Sequence, residues 1–347
     1  MNTLFKNAIN GQAQKVPPIW FMRQAGRYHK HYQNLRTKYS FEQLCRQPEL
    51  AAQVALGPIE DFDYDVAILF SDILFPLDGL GLQLSYSDAG PKLEQSLKNG
   101  FSLDPTKLQD LVARSLTELS FQGQALKITR EVLPKSKSLI GFVGGLWTLF
   151  VYACEGGHAG AMTFAKDHYF RDTNFVNALT QVIRGNIEAQ LKAGAEVVMI
   201  FDTAAGEVSH QYFQKNLEAT LIKWAYEFPN RLGYYSKGTQ SSFFSEKFLQ
   251  APWAGRGVDH RWNLPVLLKE KNIKQKSGFL QGNFDQALLF QDTSRFEQSL
   301  NEYLAPYQKL SENERAGWVC GLGHGVLPKT PEVHVKRFIE IVRKVFS

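Results

Sequence analysis

Two arginines close together are the first residues in the chain whose types and spacing suggest chemistry. Arg23 and Arg27 flank the short run Gln24-Ala25-Gly26. A guanidinium group is a rigid donor fork that pairs with a carboxylate or a phosphate through two hydrogen bonds. Gly26 would permit a turn that directs both groups to one side. With Arg36 nearby, the pattern predicts a site for an anion; the alternative is one solvated and one salt-bridged arginine.

An aspartate and a histidine are the next candidates. Asp72 follows Ser71 at the end of a predicted strand, where it either caps the next helix or faces a cavity. In a cavity its carboxylate would accept hydrogen bonds from N–H groups or stabilise a cation. His324 lies between Gly323 and Gly325. It is a catalytic acid, a hydrogen-bond donor to a substrate, or a loop histidine whose hydrogen bonds are all made within the protein. The sequence leaves these alternatives open.

Metal and serine-nucleophile chemistry lack their usual patterns. Cys320 and His324 are four residues apart, but Gly323 between them argues against a shared helical face. The sequence contains no Cys-x-x-Cys, His-x-Cys or His-Glu-x-x-His pattern. It also lacks the Gly-x-Ser-x-Gly nucleophile turn. We therefore expect no metal site.

Short apolar runs of the kind that form buried parallel strands position these residues. Eight such runs occur: Pro18–Met22, Val66–Phe70, Leu139–Val143, Val197–Phe201, Leu232–Tyr235, Ala254–Val258, Gly278–Leu280 and Trp318–Cys320. Polar residues or glycines follow nearly every run, and a barrel carries its active site at these carboxyl ends. The polar ends are Arg23 and Arg27, Ser71-Asp72, Gly144-Gly145, Asp202-Thr203, Lys237-Gly238, Asp259-His260, Gln281-Gly282-Asn283 and Gly323-His324-Gly325.

Helical patterns separate most of the predicted strands. Asp104-Pro105 predicts the start of a helix that ends near Pro134. Thr330-Pro331 predicts the start of the last helix. Two predicted helices have an apolar face. In the first, which should end near Gly194, the face consists of Val176, Leu179, Ile183, Ile187 and Leu191. In the last helix it consists of Val335, Phe338, Ile339, Val342 and Val345.

The alternation of strands and helices predicts an α/β fold with a parallel sheet. Eight units favour a closed (β/α)8 TIM barrel, a single domain over residues 1–347. The alternative is an open doubly wound sheet, whose Gly-x-Gly-x-x-Gly signature is missing. Residues Leu80 to Leu97, with Asp88-Ala89-Gly90-Pro91, predict a hairpin inserted after the second strand.

Composition excludes several classes of protein. Hydrophobic residues make up 44% and charged residues 21% of the chain, which fits a folded protein with a large core. The net charge of +5 comes without a basic run, so we expect no nucleic-acid partner. The uncharged stretch Ser138–Cys154 contains Gly144-Gly145 and predicts a strand, loop and helix rather than a membrane span. Scattered cysteines and no signal-peptide core predict a cytoplasmic protein.

Two runs, Pro18–Tyr28 and Phe70–Leu74, resemble the signature segments of the uroporphyrinogen decarboxylase family. Further matches follow in the family's order and cover essentially the whole chain. They are Thr148-Leu149, Tyr152, Glu155-Gly156-Gly157, Phe201-Asp202-Thr203, Ala205-Gly206, Gln281-Gly282-Asn283 and Gly323-His324-Gly325.

The resemblance implies a (β/α)8 barrel, usually a homodimer, that acts in the cytoplasm without a cofactor. It implies a carboxy-lyase of heme and tetrapyrrole biosynthesis that converts the four acetate side chains of uroporphyrinogen III to methyls, giving coproporphyrinogen III. It implies catalytic roles for Asp72, Arg23, Tyr152 and His324. The substrate-binding residues that it implies are Arg23, Gln24, Ala25, Gly26, Arg27, Arg36, Asp72, Tyr152, Thr203 and His324.

Departures from the family's pattern bear on the shape of the cleft but remove none of these groups. They are His29-Lys30-His31 for Leu-Pro-Glu, Gly145-Leu146-Trp147 for a Ser-Pro-Phe-like segment, Ala204 for Trp, and Gln286 for Pro. Two alternative functions are a zinc- or corrinoid-dependent methyltransferase of the same barrel superfamily and a non-catalytic tetrapyrrole-binding protein. The missing zinc-ligand spacings argue against the first, and the complete set of implied catalytic residues argues against the second.

Overall fold

The computed structural model describes residues 1–87, 90–157, 160–273 and 278–347. The strands are β1 (Val66–Ile68), β2 (Leu84–Ser87), β3 (Gly90–Leu93), β4 (Ser138–Gly144), β5 (Val197–Asp202), β6 (Leu232–Ser236), β7 (Gly255–Gly257), β8 (Phe279–Phe284) and β9 (Trp318–Leu322). The helices are α1 (Thr3–Ile9), α2 (Lys30–Arg36), α3 (Phe41–Arg46), α4 (Pro48–Phe62), α5 (Phe75–Leu77), α6 (Leu108–Glu118), α7 (Ser120–Val132), α8 (Leu146–Glu155), α9 (Thr163–His168), α10 (Thr173–Lys192), α11 (His210–Asn216), α12 (Glu218–Glu227), α13 (Glu246–Gln250), α14 (Leu264–Ile273), α15 (Thr293–Gln308) and α16 (Glu332–Phe346).

Seven strands form one parallel sheet in the order β1-β4-β5-β6-β7-β8-β9. Each strand of this sheet pairs with the next one along the chain, and helices connect most of them. The predicted parallel α/β architecture is therefore confirmed. All carboxyl ends lie on the same side of the sheet, as the prediction of a site at these ends requires.

The segment Pro18–Trp20 joins the two edges of the sheet and closes the barrel. On one side, the Cys320 N–H donates to the Pro18 carbonyl oxygen at 2.9 Å. On the other side, the Asp65 N–H donates to the Ile19 carbonyl oxygen at 3.0 Å. The segment thus occupies the eighth position of a (β/α)8 barrel.

The prediction of a regular first strand over Pro18–Met22 was wrong. This segment forms only an isolated parallel bridge between Ile19 and Cys320. Pro18 has no N–H group to donate, and the Ile19 N–H donates at 2.8 Å to the side-chain carboxylate of Asp65 rather than to a strand. A side chain therefore replaces part of the backbone ladder at the point of closure.

The predicted hairpin is present as the antiparallel pair β2 and β3, in which Tyr86 lies opposite Pro91. Asp88 and Ala89 of the predicted turn lie outside the described residues. The helix predicted after Asp104 starts as expected with a 3-10 turn, Pro105–Lys107, which precedes α6. The Asp104 side chain caps this turn by accepting from the Thr106 N–H at 2.9 Å. The predicted helix is divided into α6 and α7 at Leu119, a break that the apolar pattern does not indicate.

The amino-terminal end of the barrel is filled with side chains. Helix α1 buries Phe5, whose ring lies 5.5 Å from the ring of Phe279 at the start of β8. Along the described residues, no helix combines the length and the apolar composition needed to cross a membrane. The opposite end of the barrel carries the loops that contain the predicted site.

Candidate active site

Hydrogen bonds of Gln24 fix the loop that follows Met22. The Gln24 side chain is completely buried. Its Nε2 donates to the Val66 carbonyl oxygen at 3.0 Å, and its Oε1 accepts from the Phe21 N–H at 3.3 Å. The Tyr28 hydroxyl donates to the Gln24 carbonyl oxygen at 2.6 Å. Gln24, predicted to bind substrate, thus has a side chain that faces the protein interior and supports the loop.

Arg23, rather than Gly26, has the unusual backbone conformation in this loop. Arg23 has a φ of 59°, in the left-handed region, whereas Gly26 does not have a positive φ. The sequence-based expectation that Gly26 provides the turn was therefore wrong. Gly26 and Ala25 are half-buried in the loop. The left-handed turn at Arg23 lets its side chain leave the loop while Gln24 points inward.

The Arg23 side chain lies across the backbone of Gly325 in the loop after β9. A methyl group on Gly325 would come within 2.5 Å of Arg23 Cδ. The neighbouring His324 is half-buried, and burial together with the charges of Arg23 and Lys237 lowers its pKa to about 4. The histidine is therefore neutral near pH 7. Arg23, His324 and Gly325 come together although Gly325 lies 302 positions after Arg23 in the sequence.

Asp72 follows β1, and its carboxyl group is close enough to Arg23 to be affected by the charge of the guanidinium. Its Oδ1 accepts from the Leu74 N–H at 2.8 Å, so it does cap the following turn. The carboxyl group is half-buried, and burial raises its pKa although the Leu74 N–H, the Arg23 charge and the Tyr86 hydroxyl each lower it. Both readings of Asp72 from the sequence, cap and cavity carboxylate, fit this geometry.

Tyr152 reaches the same place from helix α8. It is half-buried, and its pKa is raised by burial and by the negative charge of Asp72, while the charge of Arg23 lowers it. Its hydroxyl therefore stays protonated at neutral pH. The fold thus brings Arg23, Asp72, Tyr152 and His324 to one open end of the barrel.

Arg27, in the first loop, and Arg36, at the end of helix α2, are both close enough to Tyr32 of α2 to act on it electrostatically. The charges of both arginines lower the pKa of Tyr32, although burial raises it overall. Both arginine side chains are exposed, and Arg36 Nη1 donates to the Tyr39 carbonyl oxygen at 2.6 Å. Solvent-exposed guanidinium groups of this kind are available to an anionic ligand.

An aromatic wall connects Arg36 with Asp72. The Tyr32 ring lies 5.6 Å from Phe70, Phe41 lies 5.9 Å from Phe70, and Phe41 lies 4.8 Å from Tyr86. The Tyr86 hydroxyl is buried and lies close enough to Asp72 to lower the pKa of its carboxyl group. Because it lies close to Asp72, this hydroxyl is a site feature that the sequence analysis missed. The predicted hairpin was its only signal.

The end of β5 contains Asp202, which supports helix α8, and is followed by Thr203, a predicted substrate contact. The Asp202 carboxylate accepts from the Thr148 hydroxyl at 2.6 Å and from the Tyr234 hydroxyl at 3.0 Å. Through Thr148, Asp202 anchors the start of helix α8 and hence Tyr152. The predicted contact residue Thr203 follows at the carboxyl end of β5 and is half-buried.

Two further cations of the rim were not assigned from the sequence. Lys237, which follows β6, is half-buried and close enough to His324 to lower its pKa. Arg261 is about half exposed, and its Nη1 donates to Asp259 Oδ2 at 2.6 Å. Asp259 also accepts from the Gly238 N–H at 2.7 Å, so it joins the loops after β6 and β7. The open end of the barrel is therefore more cationic than the three predicted arginines suggest.

Potential metal ligands in the described part of the chain lie apart from these residues. The one group of three found there consists of His29, Asp61 and Glu332, whose ligand atoms lie within 4.8 Å of one another. None of the three belongs to the predicted site, and His29 Nε2 already pairs with Asp61 at 2.7 Å. Cys45, Cys154 and Cys320 are buried and outside this group, and burial raises the pKa of each thiol.

The model of the uroporphyrinogen decarboxylase (URO-D) family matches residues 1–345. The chain belongs to this family. The predicted family, decarboxylase class and place in tetrapyrrole biosynthesis are thereby confirmed.

Relatives of the same name match the chain over nearly its full length. The uroporphyrinogen decarboxylase of Orientia tsutsugamushi is 34% identical, with 98% of each chain covered. That of Chloroherpeton thalassium is 30% identical and covers 99% of this chain and 97% of its own. Among solved structures, a methyltransferase from Methanosarcina mazei covers 100% of both chains with a TM-score of 0.73 at 17% identity. At that identity the likeness shows the fold alone.

Two departures from the uroporphyrinogen decarboxylase pattern touch each other in this chain. The indole Nε1 of Trp147 donates to the Ala204 carbonyl oxygen at 3.1 Å, and both residues are completely buried. A large side chain at 147 thus accompanies a small one at 204. The departure at His29 has a partner too, since His29 links the first loop to Asp61 of α4 and lies 3.7 Å from Glu332 of α16.

Proposed function

We propose that this chain converts uroporphyrinogen III to coproporphyrinogen III by removing its four acetate carboxylates, with Asp72 as the central catalytic group. The observation that carries the residue assignment is the position of Asp72, half-buried at the open end of the barrel and electrostatically coupled to both Arg23 and Tyr152. A carboxylate among cations would be expected to pair fully with them. Asp72 instead keeps a raised pKa, which is typical of functional sites.

The chemistry requires an acceptor for the electrons of the broken bond. A pyrrole serves as its own acceptor if a ring carbon first takes up a proton, which makes the ring a cation. The C–CO₂ bond then breaks, and its electron pair neutralises that cation. A proton added to the exocyclic carbon and one lost from the ring carbon leave a methyl group. In sum, each acetate carboxylate and one proton give a methyl group and carbon dioxide.

Asp72 is suited to stabilise the pyrrole cation as it develops. Its carboxylate accepts hydrogen bonds from pyrrole N–H groups, and its negative charge lies beneath the ring while the ring is positive. A fixed charge directed at a developing charge in a water-poor site is commonly the largest contribution to catalysis. Burial makes Asp72 costly to ionise when the site is empty, and a bound cation would repay that cost.

The arginines supply the complementary charges for the substrate's carboxylates. Arg27 and Arg36 are exposed and both act electrostatically on Tyr32, so bidentate pairing with acetates or propionates is available to each. Arg23, between Asp72 and His324, holds the reacting acetate and takes the role of proton donor. A guanidinium is a poor acid in water, so this is the most demanding role in the proposal.

Tyr152, His324 and Thr203 complete the proposed contacts. His324 is neutral because its pKa lies near 4, so it acts as a hydrogen-bond donor or acceptor rather than as a cationic acid. The Tyr152 hydroxyl stays protonated and donates to the substrate. Gln24, Ala25 and Gly26 contribute through the backbone of the loop that carries Arg23.

The family's usual form supports three further proposals for this chain. We propose that it acts as a homodimer, in the cytoplasm and as one domain. The chemistry above uses the substrate as its own electron acceptor, so we also propose that turnover needs no cofactor.

Product analysis tests the proposed reaction. The purified chain is incubated without oxygen with uroporphyrinogen III, the mixture is oxidised, and the porphyrins are separated by their number of carboxylates. We expect products with seven, six, five and finally four carboxylates. Heat-inactivated protein is the control. Recovery of only the eight-carboxylate porphyrin, from a protein shown to be folded, would contradict the proposal.

A further inference from the structure

Strand β7 carries a charged residue on the face that packs against the helices. A Cβ on Gly255 would meet the ring of Phe279, and a Cβ on Gly257 would meet Tyr235 and Gln281, so both glycines face the barrel interior. Side chains alternate between the two faces of a strand. Arg256, which lies between these glycines, therefore faces outward, towards the layer of helices.

Arg256 lies in that layer without a partner among the described residues. Across the described part of the chain, its guanidinium makes no hydrogen bond and no ion pair. Burial lowers its pKa to about 10, and no carboxylate opposes this change. Arg256 is half-buried, so its guanidinium is partly removed from water without a counter-charge, and an anion that reached it would be stabilised.

A second cation faces the same place. Lys271 of helix α14 is only 5% exposed. Burial, followed by the positive charge of Arg256, lowers the pKa of Lys271 to about 8. The ammonium group of Lys271 and the guanidinium group of Arg256, which repel each other, thus lie close together. Glu270, the neighbouring acid on α14, is exposed and does not offset the charge of Arg256.

The two cations border a cavity of about 360 Å³ between β7 and the helices α13 and α14. This volume lies at the small end of the range for small-molecule sites. Its walls combine hydroxyl groups, apolar surface and the carboxylates of Glu246 and Glu270. The hydroxyl and apolar lining comes from Ser241, Ser242, Phe244, Leu249, Trp253 and Leu267. None of the residues proposed for decarboxylation lines it.

We propose that this cavity is a second binding site, which takes a small organic anion with its phosphate or carboxylate head on Arg256 and its apolar body against Phe244 and Trp253. The guanidinium offers the anion a bidentate fork, and Lys271 adds charge. The hydroxyls of Ser241 and Ser242 line the same cavity and can donate further hydrogen bonds. An anion there would supply the counter-charge that the described residues do not give to Arg256.

Isothermal titration with inorganic phosphate, phenyl phosphate and benzoate tests this site. We expect phenyl phosphate or benzoate to bind the wild-type chain, and inorganic phosphate to bind at least ten-fold more weakly because it lacks the apolar body. Which of the two aromatic anions binds more tightly identifies the preferred head group. If the wild-type chain binds neither aromatic anion, the proposal is wrong.

Variants separate this site from general anion binding. Arg256→Leu should weaken binding of the aromatic anion at least ten-fold and raise the Tm of the ligand-free protein, because an uncompensated cation is removed. Arg256→Lys keeps a charge but loses the fork, and it replaces Arg256→Leu if that variant does not fold. Arg295→Leu, at a residue 78% exposed on α15, is the control. Unchanged binding by the Arg256 variant, or equal loss in the control, would overturn the proposal.

The decarboxylation assay keeps the two proposals apart. Arg256→Leu should turn over uroporphyrinogen III at the wild-type rate, since the cavity lies on the outer side of β7. A wild-type rate combined with lost anion binding supports a separate site. An equal loss of turnover and binding would show that Arg256 acts through the stability of the barrel and would contradict the proposal.

Discussion

The aliphatic part of the Arg23 side chain packs against the backbone of Gly325, and Arg23 Cδ occupies the space that a side chain on Gly325 would need. This contact joins the first loop of the barrel to the last one. It places the guanidinium between Asp72 and His324, both of whose pKa values respond to it. The position of Arg23 in the site therefore depends on the absence of a side chain at 325.

Gly325→Ala is expected to displace Arg23 and lower kcat/KM for uroporphyrinogen about 10²-fold, the scale of a misplacement of about 1 Å. The variant should unfold at nearly the wild-type temperature. Gly123→Ala in helix α7 is the matched control, because a methyl there meets Ala193 at an ordinary 3.6 Å. Wild-type kinetics for Gly325→Ala would show that the position of Arg23 does not limit turnover.

Asp72→Asn is expected to raise the Tm. Burial raises the pKa of Asp72 in the folded state, so the folded protein binds this proton more readily than the unfolded chain does. The stabilising effect is present at low pH and is lost as pH rises through the folded pKa, above which the carboxylate is ionised at a cost to stability. Asparagine removes that cost. Calorimetry at pH 7 checks the sign, and a lower Tm would mean that the charge supports the fold.

The acidic limb of the pH profile of kcat/KM should follow Asp72, which must be ionised to stabilise a cation. We expect this limb above the ordinary range of an aspartate. Since the charge of Arg23 lowers the pKa of Asp72, Arg23→Gln should move the limb to higher pH as well as reduce the rate. Arg295→Gln provides the control for a distant charge. If the acidic limb does not move in Arg23→Gln, Asp72 is not the group whose titration the limb reports.

Trp147→Phe should lower the free energy of unfolding by about 1–3 kcal/mol, because buried volume and the hydrogen bond to Ala204 are both lost. Since Trp147 is completely buried, kcat should change little. Trp262→Phe is the comparison, because the Trp262 indole N–H has no partner among the described residues and should cost less. Urea denaturation measures both. An equal cost for the two variants would deny the hydrogen bond a role.

Removal of metal should leave turnover intact. After dialysis against a strong chelator, the protein is expected to decarboxylate at its original rate and to contain zinc well below one equivalent. The donor chemistry supports this, since the buried thiols of Cys45, Cys154 and Cys320 have raised pKa values and thiolates are the form that binds zinc. Stoichiometric zinc that is required for activity would favour a methyltransferase-like site.

The barrel was predictable from the sequence because its strands are short apolar runs, and the polar residues after them mark the open end. Its closure was not predictable. Pro18–Met22 looks like any other apolar run, and only the structure shows that the Asp65 carboxylate takes the place of a strand partner at Ile19. A long-range side-chain contact of this kind leaves no periodicity in the sequence.

The site was predictable where a residue's type alone implies its role, as for Arg23, Asp72 and His324. It was less predictable where orientation decides. Gln24 stands next to Arg23 in the sequence, yet its side chain faces the interior. Tyr86 reaches Asp72 only because the hairpin folds back over the barrel. Neither direction follows from residue type or spacing.

The rate of decarboxylation by Asp72→Asn is the most direct test of the role of charge in this site. Under anaerobic conditions with saturating uroporphyrinogen III, the folded variant is expected to lose about 10²–10³-fold or more in kcat, the usual size of such electrostatic contributions. It should retain binding, which the arginines provide. Turnover at the wild-type rate by this variant would contradict the account, because the pyrrole cation would then form without a negative charge beside it.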